Sequence, residues 1–236
     1  MINESTIELY MNPDTYVNED LSKQTNIETS KQIDQMLNKY SNKEMNEIDT
    51  YFFKESDIKE RAEREQMNFN VVSFGGCSSN YIKSKCSGKY RITRIWGDKF
   101  CHYLRPLHVS SMKYCIYIYR SPLHAVMSQW RRKICKNFYK LRDETYLHLP
   151  FSFENLFFLM YTQMKNFKET NTQYKKIMIK YETAHKYQDE LTQLLNVKFD
   201  FKARECKNIS LNIDLNGKYY LKALEMYNSL PEYSVS

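Results

Sequence analysis

Residues 114–128 decide the fold class, and they read Tyr114-Cys-Ile-Tyr-Ile-Tyr-Arg120-Ser-Pro-Leu-His-Ala-Val-Met-Ser128. The first six residues are almost wholly apolar or aromatic, which is typical of a strand that is covered on both faces of a parallel sheet. Pro122 then opens a helix-like segment, because a proline in the first helical turn sacrifices no hydrogen bond. A buried strand that runs directly into a helix predicts a βαβ unit.

Other segments repeat this alternation of strands and helices. Strand-like patterns occupy residues 69–74, 90–95 and 176–181. Helix-like patterns occupy residues 31–40, 56–65, 122–132, 152–167 and the segment that ends at 191–197. Strands separated by helical segments predict an α/β fold with a mostly parallel sheet flanked by helices.

The composition favours one folded domain with an appendage. The chain has 236 residues, of which 42% are hydrophobic and 15% aromatic, enough for a substantial core. Residues 1–68 are polar, and we interpret them as a leader with docked helices or as an arm for a protein partner. Residues 69–236 are then the α/β domain.

Charge and cysteine usage exclude several classes of function. The net charge of +7 favours an anionic ligand, but it is too mild to indicate nucleic acid. The six cysteines include no C-x-x-C pair, which argues against a zinc site. No stretch approaches the ~18 apolar residues of a membrane span, and no secretory signal opens the sequence. We therefore expect a cytoplasmic protein with reduced thiols.

A candidate phosphate loop follows the strand-like run 69–74. A strand that leads through small and hydroxylic residues into a helix points backbone N–H groups at one place, which is how many proteins bind phosphate. The segment is not a Walker A loop, because no second glycine followed by Lys-Ser is present. An ordinary strand-to-helix turn is the alternative interpretation. The candidate binding residues are Gly75, Gly76, Cys77, Ser78, Ser79 and Asn80.

Residues 117–130 resemble the third-strand motif of the sulfotransferase family. That motif also runs from an apolar strand to an Arg and then along a short helix to a Ser eight positions later, which matches Arg120 and Ser128. The resemblance implies that these two side chains hold the 3′-phosphate of the donor nucleotide, and a guanidinium offers a planar fork suited to phosphate. The alternative is an Arg in a surface ion pair and a Ser that faces solvent.

Two further fragments are similar to the same family. Residues 75–80 resemble its 5′-phosphosulfate loop, which usually reads Pro-Lys/Arg-Ser-Gly-Thr-Thr/Ser, and residues 176–182 look like its later strand that ends in Tyr-Glu. The resemblance spans residues 69–200. It implies a three-layer P-loop-like fold and a metal-free transfer of a sulfuryl group from 3′-phosphoadenosine-5′-phosphosulfate to the hydroxyl of a glycan, peptide or small molecule.

The chain departs from the family at several positions. Gly76 stands where the family loop carries a cation, and Lys83, Lys85 or Arg94 are candidates to replace that charge. His124 replaces a common Asp, and the family's C-terminal Arg-Lys-Gly segment is not evident, which leaves Arg204 and Lys207 as candidate nucleotide contacts.

The resemblance places the catalytic base after the second predicted strand. His102 is the first candidate, since its pKa of ~6.5 suits proton transfer near neutrality, and Asp98 is its rival. The alternative interpretation of each is an ordinary loop residue on a polar surface. Because the loop cation is missing, a catalytically inactive nucleotide-binding or interaction module stays open beside an active sulfotransferase.

Overall fold

The computed structural model describes residues 55–92, 103–131, 152–203 and 215–236. The helices are α1 (Glu55–Arg64), α2 (Ser79–Cys86), α3 (Pro122–Arg131), α4 (Phe153–Glu169), α5 (Gln188–Leu195) and α6 (Lys218–Ser229), and a 3₁₀ helix spans Tyr181–Tyr187. The strands are β1 (Phe69–Val72), β2 (Tyr114–Tyr119), β3 (Lys175–Lys180) and β4 (Tyr233–Val235).

These four strands form one mostly parallel sheet in the order β1-β2-β3-β4. Strands β1, β2 and β3 are parallel, and the short β4 is antiparallel to β3. Val71, Ile116 and Ile177 lie side by side in one row across the three parallel strands. The α/β class with a mostly parallel sheet and flanking helices is therefore confirmed.

Helices cover both faces of the sheet because the side chains of β2 alternate between two apolar clusters. Ile116 and Ile118 pack with residues of α2 and α5, whereas Cys115, Tyr117 and Tyr119 pack with residues of α3, α4 and α6. All five side chains are at most 1% exposed. Full burial of a side chain of this size contributes about 1.5–3 kcal/mol, so the central strand ties the two layers together.

Residues just before β1 pack on the same core. Ala62 of α1 and Met67 belong to the cluster that covers the α3–α4–α6 face. The end of the polar leader is thus docked on the domain through these two residues. The helix predicted within residues 31–40 and the rest of residues 1–54 lie outside the described part of the chain.

One predicted strand is wrong in its described part. Residues 90–92 of the predicted strand 90–95 are not in a strand, and residues 93–95 lie outside the described ranges. The segment contacts Asn68 just before β1 begins: the Asn68 N–H donates to the Arg91 carbonyl at 3.1 Å, and the Arg91 N–H donates to Asn68 Oδ1 at 2.8 Å. One of the two contacts uses a side chain, so a regular ladder does not start there.

None of the described helices combines the length and the apolar character that crossing a bilayer requires.

Candidate functional site

The carboxyl ends of the three parallel strands meet at one edge of the sheet. The loop after β1 (73–78), Arg120 and Ser121 after β2, and Tyr181 and Glu182 after β3 all follow strand ends at this edge. Open parallel sheets bind ligands at this edge, because the loops there converge on a crevice. This edge is the candidate site.

The loop after β1 has an unusual backbone. Gly75 and Gly76 have φ values of 126° and 68°, and Ser78 has a φ of 58°. The first two positions suit glycine, whereas a serine at such a φ is held in the left-handed region against its preference. The sequence-predicted phosphate loop is therefore a sharply folded strand-to-helix connection.

Several side chains of the loop bond within the loop or to the start of α2. The thiol of Cys77 is buried and donates to the Gly75 carbonyl at 3.0 Å, and the hydroxyls of Ser73 and Ser79 lie 3.2 Å apart. Asn80 is exposed in the first turn of α2. Cys77 would therefore offer a ligand its backbone N–H, since its side chain closes the loop.

Ser128 packs directly against Gly76. A Cβ placed on Gly76 would lie 2.6 Å from both the Cβ and the Oγ of Ser128. Real Cβ atoms do not approach other heavy atoms that closely, so α3 and the loop touch through the bare glycine backbone. A lysine or arginine side chain therefore does not fit at Gly76 in this arrangement.

Arg120 also lies on the loop. Its Nη1 donates to the Gly76 carbonyl at 3.2 Å, and its guanidinium carbon lies 4.9 Å from the centre of the Tyr181 ring. Its side chain is 18% exposed. Arg120 is thus partly buried at the sheet edge, and the structure brings Arg120, Ser128 and Gly76 together as one cluster.

Glu182 joins this cluster from the end of β3. Its Oε1 accepts from the Ser121 N–H at 3.0 Å and lies 3.9 Å from Arg120 Nε. The sequence reasoning assigned Glu182 no role in ligand binding, although it noted the Tyr-Glu pair after the strand. The available signal was topological, because parallel strands bring their carboxyl ends to one edge.

Tyr119, the last residue of β2, contributes a buried hydroxyl near the same edge. The residue is 1% exposed, and its hydroxyl has no hydrogen-bond partner in the described part of the chain. Burial raises the pKa of Tyr119 above its ordinary value, and the negative charge of Glu182 raises this pKa further. The hydroxyl therefore stays protonated and can act as a donor.

The remaining predicted site residues fall into two groups. Lys83 and Lys85, two of the candidates for the loop cation, belong to α2, and Lys85 Nζ lies 5.6 Å from the centre of the Tyr81 ring. The Nδ1 of His124 lies 3.2 Å from Ser121 Oγ. The residues outside the described ranges are Asp98, His102, Arg204, Arg94 and Lys207.

The described edge thus combines the guanidinium of Arg120, the serine hydroxyls of the loop and of α3, and the N-termini of α2 and α3. Within the described ranges, no group of three His, Cys, Asp or Glu side chains is arranged to hold a metal ion. Comparisons with protein-family models, with curated proteins and with solved structures found no match. The guanidinium, the hydroxyls and the helix N-termini at this edge all suit an anionic ligand.

Proposed function

We propose that the protein binds 3′-phosphoadenosine-5′-phosphosulfate at the carboxyl edge of β1 and β2, and that it transfers the sulfuryl group to an acceptor hydroxyl. It would be a divergent sulfotransferase on a P-loop-like fold. The observation that carries the proposal is the convergence of Arg120 and Ser128 on Gly76, 44 residues before Arg120 in the chain. These are the two elements that the resemblance links to opposite phosphates of one nucleotide.

The proposed roles follow from the chemistry of each part. Backbone N–H groups of the loop and of the α2 N-terminus would hold the 5′-phosphosulfate, since helix N-termini favour anions. Arg120 and Ser128 would hold the 3′-phosphate through a charged fork and a hydroxyl. The net charge of +7 would attract the nucleotide to the protein.

Transfer forms a bond from the acceptor oxygen to sulfur and breaks the bond from sulfur to the bridging oxygen of the phosphate. It requires in-line placement, a base for the acceptor proton and positive charge near the leaving oxygen. His102 is the proposed base and Asp98 its rival. A glycan, a peptide or a small molecule would supply the hydroxyl.

One observation favours a second candidate, a nucleotide-binding module without activity. Because Ser128 leaves no space for a side chain at Gly76, the loop carries no cation of its own beside the leaving oxygen. Binding is compatible with this arrangement, whereas turnover needs positive charge from elsewhere. The two candidates therefore differ in turnover and not in ligand.

A binding experiment tests both candidates together. We expect 3′-phosphoadenosine-5′-phosphate to raise the melting temperature of the full chain more than ATP at equal concentration, since a ligand stabilises the state that binds it. Arg120→Ala should weaken this binding at least about tenfold, because a hydrogen bond to a charged group contributes about 1.5–3 kcal/mol. The control Arg64→Ala alters an exposed Arg in the last turn of α1 and should leave nucleotide binding unchanged.

A transfer assay then separates the two candidates. Labelled donor, offered with a panel of hydroxyl acceptors, should yield labelled acceptor if the protein is a sulfotransferase. Nucleotide binding without transfer assigns the inactive module. Equal stabilisation by ATP and by the bisphosphate, or unchanged binding in Arg120→Ala, would contradict the proposed function.

A further inference from the structure

The carboxylate of Glu182 lies in a position that suits a bound anion. It accepts from the N–H of Ser121, which directly precedes the ten-residue helix α3, and it lies 3.9 Å from Arg120 Nε. A helix N-terminus beside a guanidinium attracts anions through both its free N–H groups and its dipole. In the described structure, the anion at this place is a side chain of the protein itself.

The geometry does not fit an ion pair that fixes the direction of Arg120. At 3.9 Å, the Glu182 oxygen is beyond hydrogen-bond distance from Nε, and the guanidinium bonds instead to the Gly76 carbonyl at 3.2 Å. Both side chains are largely buried, with 18% and 16% exposure, so solvent screens their charges weakly. Glu182 therefore balances the charge of Arg120 but does not fix the orientation of its guanidinium.

Tyr119 offers this carboxylate a second place to bind. Its buried hydroxyl has no hydrogen-bond partner among the described residues, and a buried donor left unpaired is destabilising. Tyr119 pairs with Lys180 in the register of β2 and β3, two residues before Glu182, and the negative charge of Glu182 raises the pKa of Tyr119. A move of the carboxylate to this hydroxyl would satisfy a donor that is unsatisfied now.

We propose that Glu182 is a specificity-determining residue that competes with the ligand for Arg120 and the Ser121 N–H. Two anions on one guanidinium repel each other, so a bound phosphate displaces the carboxylate, which turns to the Tyr119 hydroxyl. A phosphate monoester dianion gains about twice the Coulomb attraction of a monoanion at equal distance, so it displaces Glu182 most readily. This inference rests on the proposed function for the identity of the ligand, and it means that Glu182 lowers the affinity for a 3′-phosphate while it excludes anions of lower charge from Arg120.

Calorimetric titration of Glu182→Gln tests the competition. The amide oxygen of Gln can still accept from Ser121, so the substitution removes the charge and keeps the hydrogen bond. We expect the affinity for 3′-phosphoadenosine-5′-phosphate to rise about tenfold, which corresponds to about 1.4 kcal/mol, and the affinity for adenosine 5′-monophosphate to stay unchanged. Weaker bisphosphate binding, or an equal gain for both nucleotides, would overturn the proposal.

Glu232→Gln is the matched control for a general effect of charge. Glu232 accepts from the Tyr187 hydroxyl at 3.0 Å and lies 3.7 Å from Lys186 Nζ, so it makes no described contact with Arg120. Its replacement should leave both nucleotide affinities unchanged. The same gain in Glu232→Gln as in Glu182→Gln would show that net charge, and not competition at Arg120, sets the affinity.

Tyr119→Phe tests where the displaced carboxylate goes. It should weaken bisphosphate binding about threefold in the natural sequence and have no effect in the Glu182→Gln background. The control Tyr174→Phe removes another buried hydroxyl without a described partner, just before β3 and hence at the opposite edge of the sheet. Unchanged binding in Tyr119→Phe, or an equal loss in Tyr174→Phe, removes Tyr119 from the proposal.

Inorganic pyrophosphate separates failure of this inference from failure of the proposed function. If neither nucleotide binds but Glu182→Gln binds pyrophosphate more tightly than the natural sequence, the nucleotide is wrong and the competition stands. If the bisphosphate binds and Arg120→Ala abolishes binding, but Glu182→Gln shows no gain, the competition is wrong and the proposed function stands. Absence of binding by all three anions overturns both.

Discussion

At the scale of single residues, Gly76 is the position most constrained by its surroundings. Its φ of 68° is unfavourable for any residue with a side chain, and Ser128 occupies the space that a Cβ would need. We expect Gly76→Ala to reduce the free energy of unfolding by about 2–5 kcal/mol, from about 1–2 kcal/mol of left-handed strain plus about 1–3 kcal/mol of overpacking. Urea denaturation followed by circular dichroism measures this loss.

Gly88→Ala is the matched control for that substitution. A Cβ on Gly88 meets no atom within 4 Å, so the free energy of unfolding should change by no more than about 0.5 kcal/mol. Equal effects of the two substitutions would show that the contact between Gly76 and Ser128 does not hold the loop in solution.

The local part of the site was predictable at this scale, and the distant part was not. Arg120 and Ser128 are eight residues apart on a strand and the following helix, so a linear pattern reveals them. Glu182 contacts Ser121 across 61 residues, and only the pairing of β2 with β3 makes them neighbours. Ser128 occupies the space that a side chain at Gly76 would need. This contact depends on tertiary packing, which the spacing of residues in the sequence does not reveal.

At the scale of elements, two helices that begin with a serine begin in different ways. Ser152 caps α4, because its side chain accepts from the Asn155 N–H at 3.0 Å, whereas Ser78 precedes α2 at a φ of 58° and makes no such bond with its side chain. We expect Ser152→Ala to reduce the free energy of unfolding by about 1 kcal/mol. Ser78→Ala should change it by less than about 0.5 kcal/mol, since no capping bond is lost. Chemical denaturation of both variants provides the comparison, and a larger loss in Ser78→Ala would contradict this account of α2.

Long elements with clear patterns were predicted, and short elements without such patterns were not. β2 and α4 match their predicted positions because strong apolar patterns specify both. β4 escaped prediction, since it has three residues and forms only through its pairing with β3. The predicted strand 90–95 shows the opposite error: an alternating pattern is not sufficient where Arg91 bonds to the Asn68 side chain.

At the scale of the whole molecule, β2 makes the two apolar clusters mechanically dependent on each other. Its side chains enter both clusters in alternation, so neither layer can lose its packing while the strand stays in place. The pairing of Ile116 with both Val71 and Ile177 extends this dependence across the parallel part of the sheet. The two layers and the candidate site at their shared edge should therefore unfold as one cooperative unit.

Two buried thiols, one in each layer, can test this cooperativity. Cys86 of α2 lies in one cluster and Cys115 of β2 in the other, and burial raises the pKa of each to about 12. At pH 8 only about one thiol in ten thousand is then a thiolate, so iodoacetamide should label neither in the folded protein. Pulsed labelling along a urea series, read by mass spectrometry, should give the same midpoint for both residues. Labelling of Cys86 at clearly lower urea than Cys115 would mean that the layer of α2 and α5 opens on its own. The candidate site would then depend on a local equilibrium in which the α2 end of its loop is released first.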